Sequence, residues 1–153
     1  MMPRLNIRIA ERINLKAILK LQKLCYLSEA ALYNDYTIEP LTQSIGDLTN
    51  GFDSGTIFLA GYLNEKLIAS VRGNVKNDIG FINKLIVHPD FQNRGYGKMM
   101  MKAIEAELKT TNTLELFTGN KSVKNIKLYE NLGYKIYKHE MVNQSLTLVF
   151  LKK

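Results

Sequence analysis

The sequence predicts a mixed α/β domain in which a predominantly antiparallel sheet is flanked by helices. Three observations carry this expectation. Strand-length apolar runs follow one another between residues 56 and 87, separated by turns too short to hold a helix. Two segments, after Gly95 and after Ser122, switch to a helical period. With 153 residues, 46% hydrophobic and 23% charged, the chain has the length and composition for one domain, residues 1–153, around one core.

Residues 5–9 alternate apolar and polar and suit a first strand. Asn14 is placed to cap a helix, whose stripe of Ala17, Ile18, Leu21, Leu24 and Cys25 runs to about Leu27. Pro40 precedes a second, shorter helix that ends near Asn50-Gly51. Residues 56–63, 67–75 and 79–87 form an antiparallel meander, closed by His88-Pro89 because proline has no N–H for a ladder. Met100, Ile104 and Leu108 then repeat every four residues on a helix, and residues 114–117 form a short strand. Ser122 caps a last helix through Val123, Ile126 and Leu132 that stops at Gly133, before strands at 134–140 and 145–151. The order is β-α-α-β-β-β-α-β-α-β-β.

A single cysteine, Cys25, excludes an internal disulfide and fits a reducing compartment. Its place on the first helix's apolar stripe makes it a core residue rather than a nucleophile. Arg4, Arg8, Glu11 and Arg12 interrupt the run a signal peptide needs, and no stretch approaches the ~20 apolar residues of a membrane span. The expected location is the cytoplasm, with no membrane partner. Two histidines and one cysteine, far apart, do not make a zinc set, so no metal is expected. Net charge is +7, and it is polarised: residues 27–64 hold no Lys or Arg, while residues 77–153 hold 12 basic against 7 acidic groups. The basic half favours a phosphate and the acidic stretch a cation. No groove-reading motif accompanies the charge, so nucleic acid is not the expected partner.

The most informative stretch is Gln92-Asn93-Arg94-Gly95-Tyr96-Gly97-Lys98, between a strand end and a helix start. A glycine-bearing turn there presents unpaired amide donors at the positive end of the helix dipole, a ready anion site. Gly95 and Gly97 let a phosphate reach the backbone, and Arg94 and Lys98 add charge-assisted hydrogen bonds. Met99 after Lys98 rules out a Walker loop, and a dinucleotide fingerprint would need a third spaced glycine.

The stretch from Leu85-Ile86-Val87-His88-Pro89 into Gln92-Asn93-Arg94-Gly95-Tyr96-Gly97-Lys98 resembles the acyl-CoA-binding signature of the GNAT N-acetyltransferase superfamily. Ser122-Val123-Lys124-Asn125-Ile126-Lys127-Leu128-Tyr129, followed by Gly133-Tyr134, resembles that family's late helix. The resemblance implies acetyl-CoA as donor substrate and direct N-acetyl transfer in a ternary complex. It implies a pyrophosphate cradled by the amides of residues 93–98, with the pantetheine arm laid along Leu85, Ile86 and Val87 as an added strand. Backbone amides near Val87 would polarise the thioester carbonyl. Tyr129 would donate a proton to the departing thiolate, and an ordinary phenol is protonated at neutral pH. Ser122 and Asn125 share a helix face with Tyr129, although many members carry Asn where Ser122 stands.

An attacking amine must be neutral, so a base is expected, yet residues 79–87 hold no Asp or Glu. Glu29, Asp35 and Glu39 are the alternatives. The segment 26–40 falls between the first two helices, where the resembled fold lines its acceptor site. There Glu29, Tyr33, Asp35 and Glu39 would receive a cationic amine by charge and cation–π contact. The acceptor is then a small-molecule or peptide amine, and the family pattern allows a homodimer. A catalytically silent acyl-CoA-binding or sensor domain is the alternative reading.

Overall fold

In a computed structural model, which describes residues 4–153, seven strands form one sheet in the order β1-β2-β3-β4-β5-β7-β6. Strands β1 (Asn6–Ile9), β2 (Ile57–Leu63), β3 (Lys66–Lys76) and β4 (Ile79–Val87) are antiparallel neighbours. Strand β5 (Thr113–Gly119) joins β4 in parallel, and β7 (Thr147–Lys152) and β6 (Lys135–Met141) complete the far side. The helices are α1 (Leu15–Tyr33), α2 (Glu39–Thr42), α3 (Ile45–Asp53), α4 (Tyr96–Glu107) and α5 (Val123–Asn131). The expected class and element order are found, with α2 as an added turn. The β2–β3 and β3–β4 hairpins each turn on a pair of left-handed residues, Asn64-Glu65 (φ 48° and 66°) and Asn77-Asp78 (φ 52° and 63°), the geometry that follows strand twist.

Alternation along the strands separates two cores. Leu59 and Val71 pack with Met100, Met101 and Ile104 of α4, while their neighbours Phe58 and Ala60 pack with Leu15 and Ile18 of α1. Leu21 and Cys25 on α1 meet Ile86 of β4, which seats α1 beside the strand carrying the site. Each fully buried side chain of this kind contributes roughly 1.5–3 kcal/mol.

Three helix limits differ from the sequence expectation. Helix α1 continues past Leu27 because residues 27–33 contain no breaker, and it stops at Asn34 in the left-handed conformation (φ 48°). Glu29 and Tyr33 are therefore helical rather than in a loop. The single helix expected from Pro40 is two. Ser44 starts α3 by a reciprocal capping box with Asp47 (3.1 and 2.8 Å), and Gly51 lies inside the helix. Asn14 does not cap α1; its Oδ1 accepts from the Glu11 N–H at 2.8 Å. Among the described residues, no helix is long and apolar enough to cross a membrane.

Candidate functional site

The site begins where two parallel strands part. β4 and β5 pair from Ile79 with Thr113 to Phe81 with Glu115, and the pairing goes no further. Past that point β4 keeps only β3 as a strand neighbour. A bulge displaces it: Arg72 pairs with Asn83 and Ser70 with Ile86, so Lys84 and Leu85 together face Val71, and Lys84 takes φ 54°. Beyond the bulge, the His88 N–H returns to Ile68 O at 2.7 Å. By antiparallel alternation the N–H and C=O of Val87 point the other way, into the gap. The Val87 carbonyl there accepts from Gln92 Nε2 (3.0 Å) and from Cys25 Sγ (3.4 Å).

The gap opens into a cleft of about 660 Å³, in the range of small-molecule sites. One end is the start of α4. Gly95 stands before it at φ 85°, and the first intrahelical bond is Met99 N–H to Gly95 O. A Cβ on Gly95 would meet nothing within 4 Å, and one on Gly97 would stand 3.6 Å from Leu128 and 3.9 Å from Leu85 and Val87. The backbone at both glycines is thus open to the cleft, with the amide groups of a helix start and its dipole behind it. Lys98, Lys121 and Lys124 place three cations in the wall.

The opposite wall is made by α1 and α5. The Ser122 hydroxyl makes no capping bond for α5; it donates to Glu29 Oε2, while Asn125 Nδ2 reaches Glu29 Oε1 at 3.5 Å. The Tyr33 hydroxyl accepts from the Lys121 N–H at 2.9 Å and stands 3.3 Å from Ser122 Oγ. Tyr33 lies so close to β5 that a Cβ on Gly119 would come within 1.9 Å of its oxygen, so any larger residue there would have to displace the Tyr33 ring. Tyr129 is 6% exposed, with its ring edge-on to Tyr134 at 6.1 Å; its neighbours Asn125 and Leu128 form the wall. Burial, and secondly the charge of Glu29, raise the Tyr129 phenol above its usual range and keep it protonated.

Of the residues singled out from sequence, Leu85, Ile86, Val87, Gln92, Asn93, Gly95, Tyr96, Gly97, Lys98, Ser122, Asn125 and Glu29 come together around this one cleft. Arg94 lies outside its wall, with its guanidinium 5.5 Å from the Phe91 ring centre. Asp35 is held by the backbone and hydroxyl of Thr37, hydrogen bonds that lower its pKa, and Glu39 pairs with Lys84 at 3.0 Å. Cys25, Tyr26, Lys121 and Lys124 also line the cleft; sequence reading places Cys25 in the core and Tyr26 only in the acceptor segment 26–40, and it passes over the two lysines. For Tyr26 the available signal was its spacing of three residues from Glu29, which on a longer α1 puts both on one face. Burial pushes the Cys25 thiol up to about 12, which makes it inert as a nucleophile.

The arrangement fits the coenzyme that the sequence motifs imply: an unpaired strand edge for amide groups, a glycine-opened helix start for phosphates, and lysines around them. Comparison with known proteins agrees. Over 125 residues the chain is 30% identical to the uncharacterised N-acetyltransferase ycf52 of Gracilaria tenuistipitata var. liui, covering 71% of this chain and 66% of that protein. It thus spans just under two thirds of that relative's length. The fold superimposes on the ribosomal-protein-S18-alanine N-acetyltransferase of Escherichia coli with a TM-score of 0.80 at 18% identity, over 97% of this chain and 92% of the other. It superimposes equally, at 0.80 and 16% identity, on the PaiA N-acetyltransferase of Thermoplasma acidophilum in complex with coenzyme A, over 98% and 99% of the two chains. Residues 15–134 match the profile of the acetyltransferase (GNAT) family, and with the cleft this shows that the chain belongs to that family.

Proposed function

We propose that this protein transfers an acetyl group from acetyl-CoA to the primary amine of a small-molecule or peptide acceptor, directly, with both bound at once. The observation that supports this most is the free edge of β4 at Leu85–Val87 running into the glycine-opened start of α4. Acetyl-CoA supplies a thioester; a nitrogen–carbon bond forms, the carbon–sulfur bond breaks, the amine loses a proton and the thiolate gains one. The Val87 N–H, turned into the gap, would hold the thioester oxygen. Amides of residues 95–98, with Lys98, Lys121 and Lys124, would hold the phosphates. Tyr129, kept protonated by its surroundings, would return the proton to sulfur. Glu29 is the one of the three candidate carboxylates that lines the cleft, and it would take the proton from the amine.

Calorimetry with CoA, followed by thiol release across a panel of amines, tests the reading. Micromolar CoA binding with acetyl-CoA-dependent turnover is expected. A second reading, acyl-CoA binding without turnover, draws on the packing of Tyr129 behind Leu128 rather than in the wall. CoA binding with no thiol release from any amine would favour it.

A further inference from the structure

Two cations lie sunk around the β3–β4 bulge, next in the sheet to the cleft residues Leu85–Val87. Arg72 on β3 is 5% exposed; its guanidinium donates to Gln22 Oε1 and, at 3.2 Å, to Gln43 Oε1, and stands 4.8 Å from the Phe58 ring centre. Its Nε has no partner among the described residues. Lys84, the left-handed residue of the β4 bulge, has 10% of its side chain exposed and pairs with Glu39, whose side chain is 63% exposed. Burial pulls the Arg72 guanidinium down to about 10 and lowers the Lys84 ammonium too, with the charge of Glu39 opposing both shifts.

Lys84 therefore has a carboxylate partner in Glu39, Arg72 feels that same carboxylate only at a distance, and the carboxylate is at the surface. Glutamine oxygens give Arg72 hydrogen bonds but no counter-charge, and a buried charge without one is unfavourable. Glu39 is also the replaceable member of its pair, because it starts the four-residue α2, too short to be held by its own hydrogen bonds. The cluster stands next to the cleft without lining it: Lys84 immediately precedes Leu85–Val87, and the charges of Arg72 and Glu39 both act on Tyr26, which is in the wall.

We infer that the acceptor is a small amine bearing its own carboxylate, of the amino-acid class, and that Lys84 receives this carboxylate in exchange for Glu39, with Arg72 as the charge behind it. The inference rests on the amine-acetylation reading and narrows its substrate. A polyamine would meet like charge at Lys84 and Arg72. The burial of both side chains admits only a small anion.

The test compares matched acceptors, alanine against ethylamine, with the full chain and saturating acetyl-CoA. The ratio of kcat/KM is expected to favour alanine by about tenfold to a hundredfold, the range of one charge-assisted contact. Lys84→Met should erase that ratio while the Kd for CoA, which reports the intact fold and donor site, stays within about twofold. Glu39→Gln, which frees Lys84, should lower the KM for alanine. Equal kcat/KM for the two amines, or a ratio that survives Lys84→Met, overturns the inference. If neither amine turns over, titration of CoA-loaded protein with N-acetylalanine and with its C-terminal amide decides it. Tighter binding of the free acid, lost in Lys84→Met, supports the inference; equal binding refutes it. Absence of CoA binding would strike the donor reading instead.

Discussion

The Ser122 hydroxyl, at the mouth of α5, donates to the carboxylate of Glu29 on α1, joining residues 93 apart in sequence on the two helices that make one wall of the cleft. This bond and that from Asn125 hold the one carboxylate of the cleft wall against the helix that carries Tyr129.

Glu29→Gln keeps an oxygen for Ser122 but removes the base. Turnover should fall by about a hundredfold at neutral pH, the usual range for a lost general base, with little change in CoA affinity. Steady-state kinetics with calorimetry checks this; unchanged turnover would move the base to a water or to another carboxylate.

Tyr129→Phe removes a phenol proton without opening a cavity at a side chain 6% exposed. We expect kcat to drop by about a hundredfold or more and the Kd for CoA to shift less than threefold. Because burial and Glu29 raise the phenol's pKa, the wild type should keep its acid through pH 9. An alkaline fall in kcat below pH 9 that vanishes in Tyr129→Phe would contradict this assignment.

Gly97→Val has room for its Cβ, the nearest atom being 3.6 Å away, but its methyl groups enter the space between Leu128 and Leu85. The fold should persist, since valine is a slightly better helix former than glycine at this position of α4. CoA affinity should weaken at least tenfold, read by titration with the melting temperature as control. Wild-type affinity would place the phosphate site elsewhere.

Stability should decline in alkali. The Cys25 thiol titrates near 12 in the folded protein but near the model-peptide range of about 8.5 when unfolded. Between these pH values the unfolded chain binds fewer protons than the native one, so rising pH favours unfolding by up to roughly 1.4 kcal/mol per pH unit. Denaturant midpoints at pH 7, 9 and 10 check the sign, and Cys25→Ala should flatten the slope. An unchanged slope in that variant would assign the effect to other buried groups, such as Tyr26.

The strand meander, the helical period after Gly95 and the glycine turn at residues 92–98 were legible in the sequence because each rests on neighbours within a few residues: alternation, fourfold spacing, a left-handed glycine. The proposed donor half of the site follows from them, since the helix start that would hold phosphates is built of local backbone. The proposed acceptor side was legible as a segment, residues 26–40 with Glu29, but not as a set of contacts. No rule of spacing relates Glu29 to Ser122, Lys84 to Glu39, or Arg72 to Gln22, and the helix that carries Glu29 and Tyr33 outran its expected end. By itself, then, the sequence determined the α/β class, the element order and the glycine turn at residues 92–98, which local hydrogen bonding and periodicity dictate. Only the tertiary structure decided which carboxylate faces the cleft and which cations are buried beside it. Those outcomes depend on the splaying of β4 from β5 and on the bulge at Lys84, where contacts distant in sequence set burial and charge.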